Sequence, residues 1–287
     1  MYKTVCPYDC PDSCSVLVAA DYKSCRGDPD NSYTQGFLCG KGRRYPKVVF
    51  SPERFPTPLR RSGPKGAGIF RAITWDEALA EVAAQTENTW DCHGGSAILP
   101  YSSAGTMGVI QGRAGEPLFN ALGALRLQDT ICSAAGEMGF NATLGRRLSA
   151  DPETVSDGDL IIIWGANPAS TRQHIMPFIL SAKRRGAQVV VVDPYQSRTV
   201  RWANWHLRPR PGTDTALVLG LMYVLWHEGL VDKNYLRTYT IGFPELVKQV
   251  LPRFTPSQVE TITGVPAAEV TRLARAYAAA QAPFLLV

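Results

Sequence analysis

The chain has 287 residues, of which 45% are hydrophobic and 19% charged, with a formal net charge of +5. That balance fits one large or two modest globular domains with a sizeable core. The mild charge would welcome an anionic cofactor but does not indicate nucleic acid. The longest apolar stretch, Ala216 to Trp226, is too short to span a bilayer and reads as a buried helix.

Four cysteines come first in chain order. Cys6, Cys10 and Cys14 stand as C-x3-C-x3-C, and Cys39 follows in C-G-K-G. Four thiolates are what a [4Fe–4S] cubane requires, one for each iron. Pro7 and Pro11 argue against a helix here, so the segment reads as a loop wrapped around a metal centre. The R-G-D-P-D-N stretch before Cys39 reads as a turn. Structural zinc is a weaker alternative, since zinc knuckles usually pair ligands as C-x2-C. A disulfide framework would need a secreted protein, and no secretory or twin-arginine leader precedes Cys6. The expected location is therefore the cytoplasm, where the seven cysteines would stay reduced.

Residues 1–60 read as loop-rich, with Pro46, Pro52, Pro56 and Pro58 marking an extended link. Thr74 and Glu77 form a capping box opening a helix to about Trp90. Ser96 to Pro100 is a strand candidate and Gly115 to Leu122 a helix. Asp159 to Trp164 and Ala187 to Val192 are apolar runs of strand length. Between them, His174 to Arg185 has a helical pattern stopped by Gly186. Strand, helix, strand implies a right-handed crossover and a parallel sheet buried on both faces. Further helices are expected from Thr213 and Asp214 to near Gly229 and after Pro256 and Pro266, with an apolar strand beginning at Pro283.

Ligands of such sheets sit past the carboxyl ends of the strands. Two strand ends carry the loops W-G-A-N-P-A-S-T and D-P-Y-Q-S-R-T, and a third loop, P-R-P-G-T-D, leads into a helix. Asp193 could accept from a sugar hydroxyl or base amine, while Asp214 alone would read as a helix cap. No G-x-G-x-x-G fingerprint is present, which weakens an NAD reading.

Taken in order, the cysteine motif, R-G-D-P-D-N, G-F-L-C-G-K-G, W-G-A-N-P, V-D-P-Y and R-P-G-T-D closely resemble the amino-terminal part of the molybdopterin oxidoreductases of the dimethyl-sulfoxide-reductase type. The resemblance covers nearly all of residues 4–287. It implies an α/β chain: a small [4Fe–4S] domain over 1–60, the first part of an incomplete pterin-binding domain over 61–130, and a doubly wound, Rossmann-like dinucleotide domain over 131–287. The implied cofactors are the cluster and molybdenum or tungsten held by two molybdopterin guanine dinucleotides.

Residue by residue, the resemblance implies that Cys6, Cys10, Cys14 and Cys39 bind the cluster and that Lys41 lies between cluster and pterin. Gly165, Asn167, Pro168 and Thr171 would line one dinucleotide. Asp193 and Ser197 would face its nucleotide end, and Gly212, Thr213 and Asp214 would recognise guanine. Gln128 would touch the pterin, and Cys132 would be a thiolate ligand of the metal, with Ser133 the alternative ligand. A histidine follows the metal ligand in formate dehydrogenases, and Ser133 at that position argues against formate as substrate.

The expected activity is a two-electron redox step on a small substrate, with electrons relayed through the cluster to an iron–sulfur partner subunit. A non-catalytic electron-transfer or scaffold subunit is the alternative. Family catalytic subunits are much longer, so a missing carboxyl-terminal half, an uncovered sheet edge and bare apolar faces are also expected. Glu137 reads as a surface helix residue, Cys25 and Cys92 as packing residues, and His93, His174, His206 and His227 as structural or solvent-facing.

Overall fold

Two units divide the chain, Met1–Ser149 and Ala150–Val287, in a computed structural model that describes residues 1–101, 112–127, 133–146 and 148–287.

The first unit opens with an antiparallel sheet of β1 (Tyr2–Val5), β2 (Ser15–Val18) and β3 (Cys25–Gly27). Val5 pairs with Ser15, so residues 6–14 are the hairpin loop between β1 and β2. Helices α1 (Gly40–Arg43) and α2 (Tyr45–Val49) follow. The segment is thus more regular than its sequence suggests, and Pro46 lies in the first turn of α2 instead of marking an extended link. A hairpin of β4 (Leu59–Arg61) and β5 (Phe70–Ala72) leads to α3 (Trp75–His93). The capping box is present: Glu77 N–H donates to Thr74 Oγ1 at 3.1 Å, and Thr74 N–H donates to Glu77 Oε2 at 2.8 Å.

The expected strand at Ser96 to Pro100 does not form. Gly95–Ala97 is a 3₁₀ turn, and residues 98–100 join no ladder. Gly95 lies so close to the Leu122 carbonyl that a Cβ would sit 1.9 Å from it, which commits the segment to a tight turn. Among the described residues, helices α4 (Glu116–Ala121) and α5 (Ala134–Leu144) follow. No residue of α3, α4 or α5 is buried, and Trp75, Leu79, Val82, Leu118 and Met138 are each at least 60% exposed.

The second unit is built on a parallel sheet in the order β8–β7–β6–β9. Its strands are β6 (Leu160–Trp164), β7 (Gln188–Val192), β8 (Trp205–Leu207) and β9 (Pro283–Leu286). After β6 come α6 (Pro168–Thr171) and α7 (Met176–Arg184), the latter preceded by a 3₁₀ turn at Gln173–Ile175, so the α-helix starts later than its periodicity implies. Helices α8 (Asp214–His227), α9 (Lys233–Tyr239), α10 (Pro256–Thr263) and α11 (Ala267–Ala279) run between β8 and β9. Pro256 is the first residue of α10, whereas Pro266 stands just before α11. The stretch Ala216 to Trp226 buries one side only: Leu217 and Val224 are inside, and Met222 is 40% exposed.

Leu160, Ile162, Val190, Val192, Trp205 and Leu207 share a core with Leu217, Val259, Val270 and Leu273 of α8, α10 and α11. The alternate residues Ile161, Ile163, Val189 and Val191 are fully buried on the other face. Continuous apolar runs are what strands covered on both sides require. Ile163→Val, which deletes one methylene from such a site, should lower unfolding stability by about 1 kcal/mol without changing the denaturant slope. Urea unfolding followed by circular dichroism measures both.

Candidate functional site

In the first unit the hairpin geometry gathers the cysteines. Cys6 and Cys14 face each other at the base of the loop, with Cys6 N–H donating to the Cys14 carbonyl at 2.8 Å. Ser13, at φ 44°, closes a turn in which its N–H donates to the Cys10 carbonyl. Cys39 sits at the N-cap of α1, in extended backbone, and Lys41 lies on that helix. Cys14 is 5% exposed, and its thiol is pushed up to about 12 by burial, then by the Asp12 carboxylate and by Cys6, Cys10 and Cys39. A buried thiol whose charge is disfavoured by three neighbouring sulfurs fits a polycationic centre bound among them. Burial also raises Cys10, opposed by the Asp12 backbone N–H and by the nearby Lys41 ammonium. Among the described residues no trio of His, Cys, Asp or Glu is arranged to hold a single metal ion.

The loop is braced from outside. Buried Asp12 accepts from Tyr33 Oη at 3.2 Å, and Tyr8 packs edge-on against Tyr45 at 5.4 Å. Cys25 Sγ donates to the Gly42 carbonyl at 3.4 Å and packs against the Cys14, Val16, Leu38 core. The R-G-D-P-D-N turn forms as expected: Asn31 Oδ1 accepts from Thr34 N–H. Asp28 accepts from Lys3 Nζ at 2.6 Å, Ser15 Oγ at 2.7 Å and Asp30 N–H at 3.1 Å. These bonds, the Lys3 bond first, lower the Asp28 carboxyl to about 2 from its ordinary 3.8. A depressed carboxyl stabilises the fold above the unfolded value and loses that contribution as pH falls through the folded one. Thermal melts should show Asp28→Asn less stable than wild type at pH 6, with the gap closing between pH 3.8 and about 2.

In the second unit the three loops seen in the sequence leave the same carboxyl edge of the parallel sheet. Gly165 follows β6 at φ 64°, a left-handed conformation suited to glycine, and its N–H donates to the Val192 carbonyl at 2.9 Å. Asn167 precedes α6, which begins with buried Pro168 and ends with exposed Thr171. After β7, Asp193 accepts from Tyr195 N–H at 2.8 Å, and Ser197 is 4% exposed with its hydroxyl unpartnered. After β8, Gly212 takes φ 79°, and Thr213 Oγ1 donates to the Arg210 carbonyl at 2.6 Å.

Asp214 is the first residue of α8 and accepts from Trp164 Nε1 at 2.8 Å; no side chain caps this helix. That bond ties the first loop to the third. Thr199 Oγ1 donates to Asn167 Oδ1 at 2.7 Å and ties the first to the second. A buried unsatisfied hydroxyl on loops that also carry left-handed glycines and the exposed Asp214 carboxylate suits a polar, extended ligand such as a dinucleotide.

Residues 54–278 match the molybdopterin oxidoreductase family, and residues 1–51 match its Fe4S4 domain. The chain belongs to the molybdopterin oxidoreductases. It is 38% identical over its whole length to "Probable oxidoreductase YoaE" of Bacillus subtilis, covering 43% of that protein. It is 30% identical over 99% of its length to formate dehydrogenase H of Escherichia coli, covering 40%. It thus spans about two fifths of the length of these relatives. In fold it is similar to acetylene hydratase from Pelobacter acetylenicus, with a TM-score of 0.76 at 23% identity over 100% of this chain and 40% of that one. The family's two domains imply a molybdenum pterin and a [4Fe–4S] cluster as its cofactors.

Gln128 and Cys132 lie outside the described residues. Glu137 is an exposed residue of α5, as expected. Cys92 is exposed on α3 and so is no packing residue; its Sγ donates to Asn88 Oδ1 at 3.8 Å. His174 is buried, and His206 Nε2 bonds the Asp193 carbonyl oxygen at 2.8 Å, both structural. The sequence had not marked Asp12, Tyr33, Trp164 or Thr199. Thr199 ends the D-P-Y-Q-S-R-T stretch, and nothing local announces its role. No described helix is long and apolar enough to cross a membrane.

Proposed function

We propose that this chain supplies the cluster module and one dinucleotide-binding unit of a molybdenum or tungsten oxidoreductase catalytic subunit. The observation that carries the reading is Cys6, Cys10 and Cys14 on one hairpin loop, with Cys39 at the start of α1 near enough to act on the buried Cys14 thiol and Lys41 near enough to act on Cys10. Residues 1–60 form the cluster domain, residues 61–130 begin a pterin-binding domain, and 131–287 form a doubly wound, Rossmann-like dinucleotide domain.

The metal with its two pterin guanine dinucleotides supplies two-electron redox chemistry when bound. The chain's own residues bind and orient around it. Gly165, Asn167, Pro168 and Thr171 line one dinucleotide, and Asp193 and Ser197 face its nucleotide end. Gly212, Thr213 and Asp214 form the guanine turn. Gln128 touches the pterin and Cys132 is the thiolate ligand of the metal. Cys6, Cys10, Cys14 and Cys39 would hold the cluster, which would supply single-electron relay to an iron–sulfur partner subunit. Lys41 would lie between cluster and pterin as a fixed positive charge, and a carboxyl-terminal half of the catalytic subunit would complete the site. The substrate is a small molecule, and Ser133, where formate dehydrogenases place histidine, counts against formate.

The catalytic subunit containing this chain should carry about four irons with acid-labile sulfide. It should also release guanine nucleotide and molybdenum or tungsten on denaturation. Zinc in place of iron, or the absence of guanine nucleotide from active protein, would overturn the reading.

A further inference from the structure

The start of α6 is capped in an unusual way. An asparagine preceding a helix ordinarily turns its side-chain oxygen onto the N–H groups of its own first turn. Asn167 does not: its side chain makes no capping bond. The Ala169 N–H that such a cap would satisfy donates instead to Thr199 Oγ1 at 3.2 Å, across thirty residues of chain. The hydroxyl of Thr199, having accepted that bond, donates its own proton to Asn167 Oδ1 at 2.7 Å. The Asn167 carbonyl oxygen meanwhile holds Ser170 and Thr171 N–H at 2.9 and 3.0 Å, which fixes the backbone of the residue. Thr199 is fully buried, so no water competes for its hydroxyl.

One hydroxyl therefore takes over the helix cap and fixes which end of the Asn167 amide is which. With Oδ1 engaged, the NH2 group is directed away from Thr199 as a donor pair with a set orientation. A free asparagine amide could present either end. We infer that Thr199 is a positioning residue that frees the Asn167 side chain from capping and holds its NH2 group ready to donate to an oxygen-rich part of the dinucleotide. This rests on the dinucleotide reading of these loops, and it adds a residue that touches no ligand itself.

The test titrates guanosine 5′-diphosphate into the full chain by calorimetry. It compares wild type, Thr199→Val, Thr199→Ser, Asn167→Ala and the Thr199→Val/Asn167→Ala double variant, each checked by thermal melting. Thr199→Val should weaken binding about ten-fold, the value of one oriented hydrogen bond. Thr199→Ser, which keeps the hydroxyl, should stay within about two-fold of wild type. In the Asn167→Ala background, Thr199→Val should cost almost nothing more, because its effect runs through Asn167. Thr199→Ala serves in its place if Thr199→Val fails to fold.

Equal affinity of Thr199→Val and wild type, or the same further loss in the Asn167→Ala background, would overturn the positioning role and leave the dinucleotide reading intact. Wild type that binds no guanosine diphosphate would overturn that reading, and the inference with it.

Discussion

Cys14→Ala should abolish the cluster, leaving well under one iron per chain after anaerobic reconstitution where wild type takes up about four. Cys14 is the most buried of the four cysteines, and its thiol is held neutral at ordinary pH by burial, by Asp12 and by the other three thiols. Its ionisation therefore depends on the metal, and the metal depends on its sulfur. Removing one ligand in a buried position leaves an open iron site that water reaches poorly, beside the Asp12 carboxylate. Iron and sulfide analysis together with the spin signal of the reduced sample report the outcome. Cys92→Ala is the matched control, since Cys92 is exposed on α3, and it should retain full iron. A Cys14→Ala protein with four irons and an unchanged spectrum would remove Cys14 from the ligand set.

The cysteine motif was readable because ligand number is a chemical demand that local spacing displays directly. The hairpin that presents it was not. β1 is short and every residue of it is exposed, so no alternation of polar and apolar side chains betrays a strand. The opposite holds for β6 and β7, where L-I-I-I-W and Q-V-V-V-V bury nearly every residue and the sequence shows it. Composition alone misled at Ser96 to Pro100, where the glycines before an apolar run select a turn. The neighbours of β6 also follow from long-range pairing: β9 aligns Ile161 with Phe284 across most of the unit.

The site divides the same way. Its three loops could be found because each follows a strand or precedes a helix. The bonds joining them, Trp164 to Asp214 and Thr199 to Asn167, bridge fifty and thirty-two residues and leave no mark in either local stretch.

Lys41→Gln should lower the midpoint potential of the cluster by on the order of 50–100 mV while leaving iron content unchanged. Lys41 is close enough to Cys10 for its charge to ease ionisation of that thiol, against the stronger effect of burial. The same charge stabilises an added electron on a cluster bound there. At an effective dielectric near 20 a unit charge contributes about 4 kcal/mol at about 4 Å and less with distance, so a contribution on the order of 2 kcal/mol is expected from a neighbouring side chain. For a one-electron couple, where about 59 mV corresponds to a factor of ten, that is the predicted shift. Its sign is fixed: loss of a positive charge makes the reduced cluster less stable, so the potential falls. Lys41→Arg should restore most of it, because the charge persists with different geometry. Redox titration monitored by the spin signal reads the potentials of all three proteins. A Lys41→Gln midpoint equal to wild type would place Lys41 outside the field of the cluster and strip it of any part in tuning electron entry.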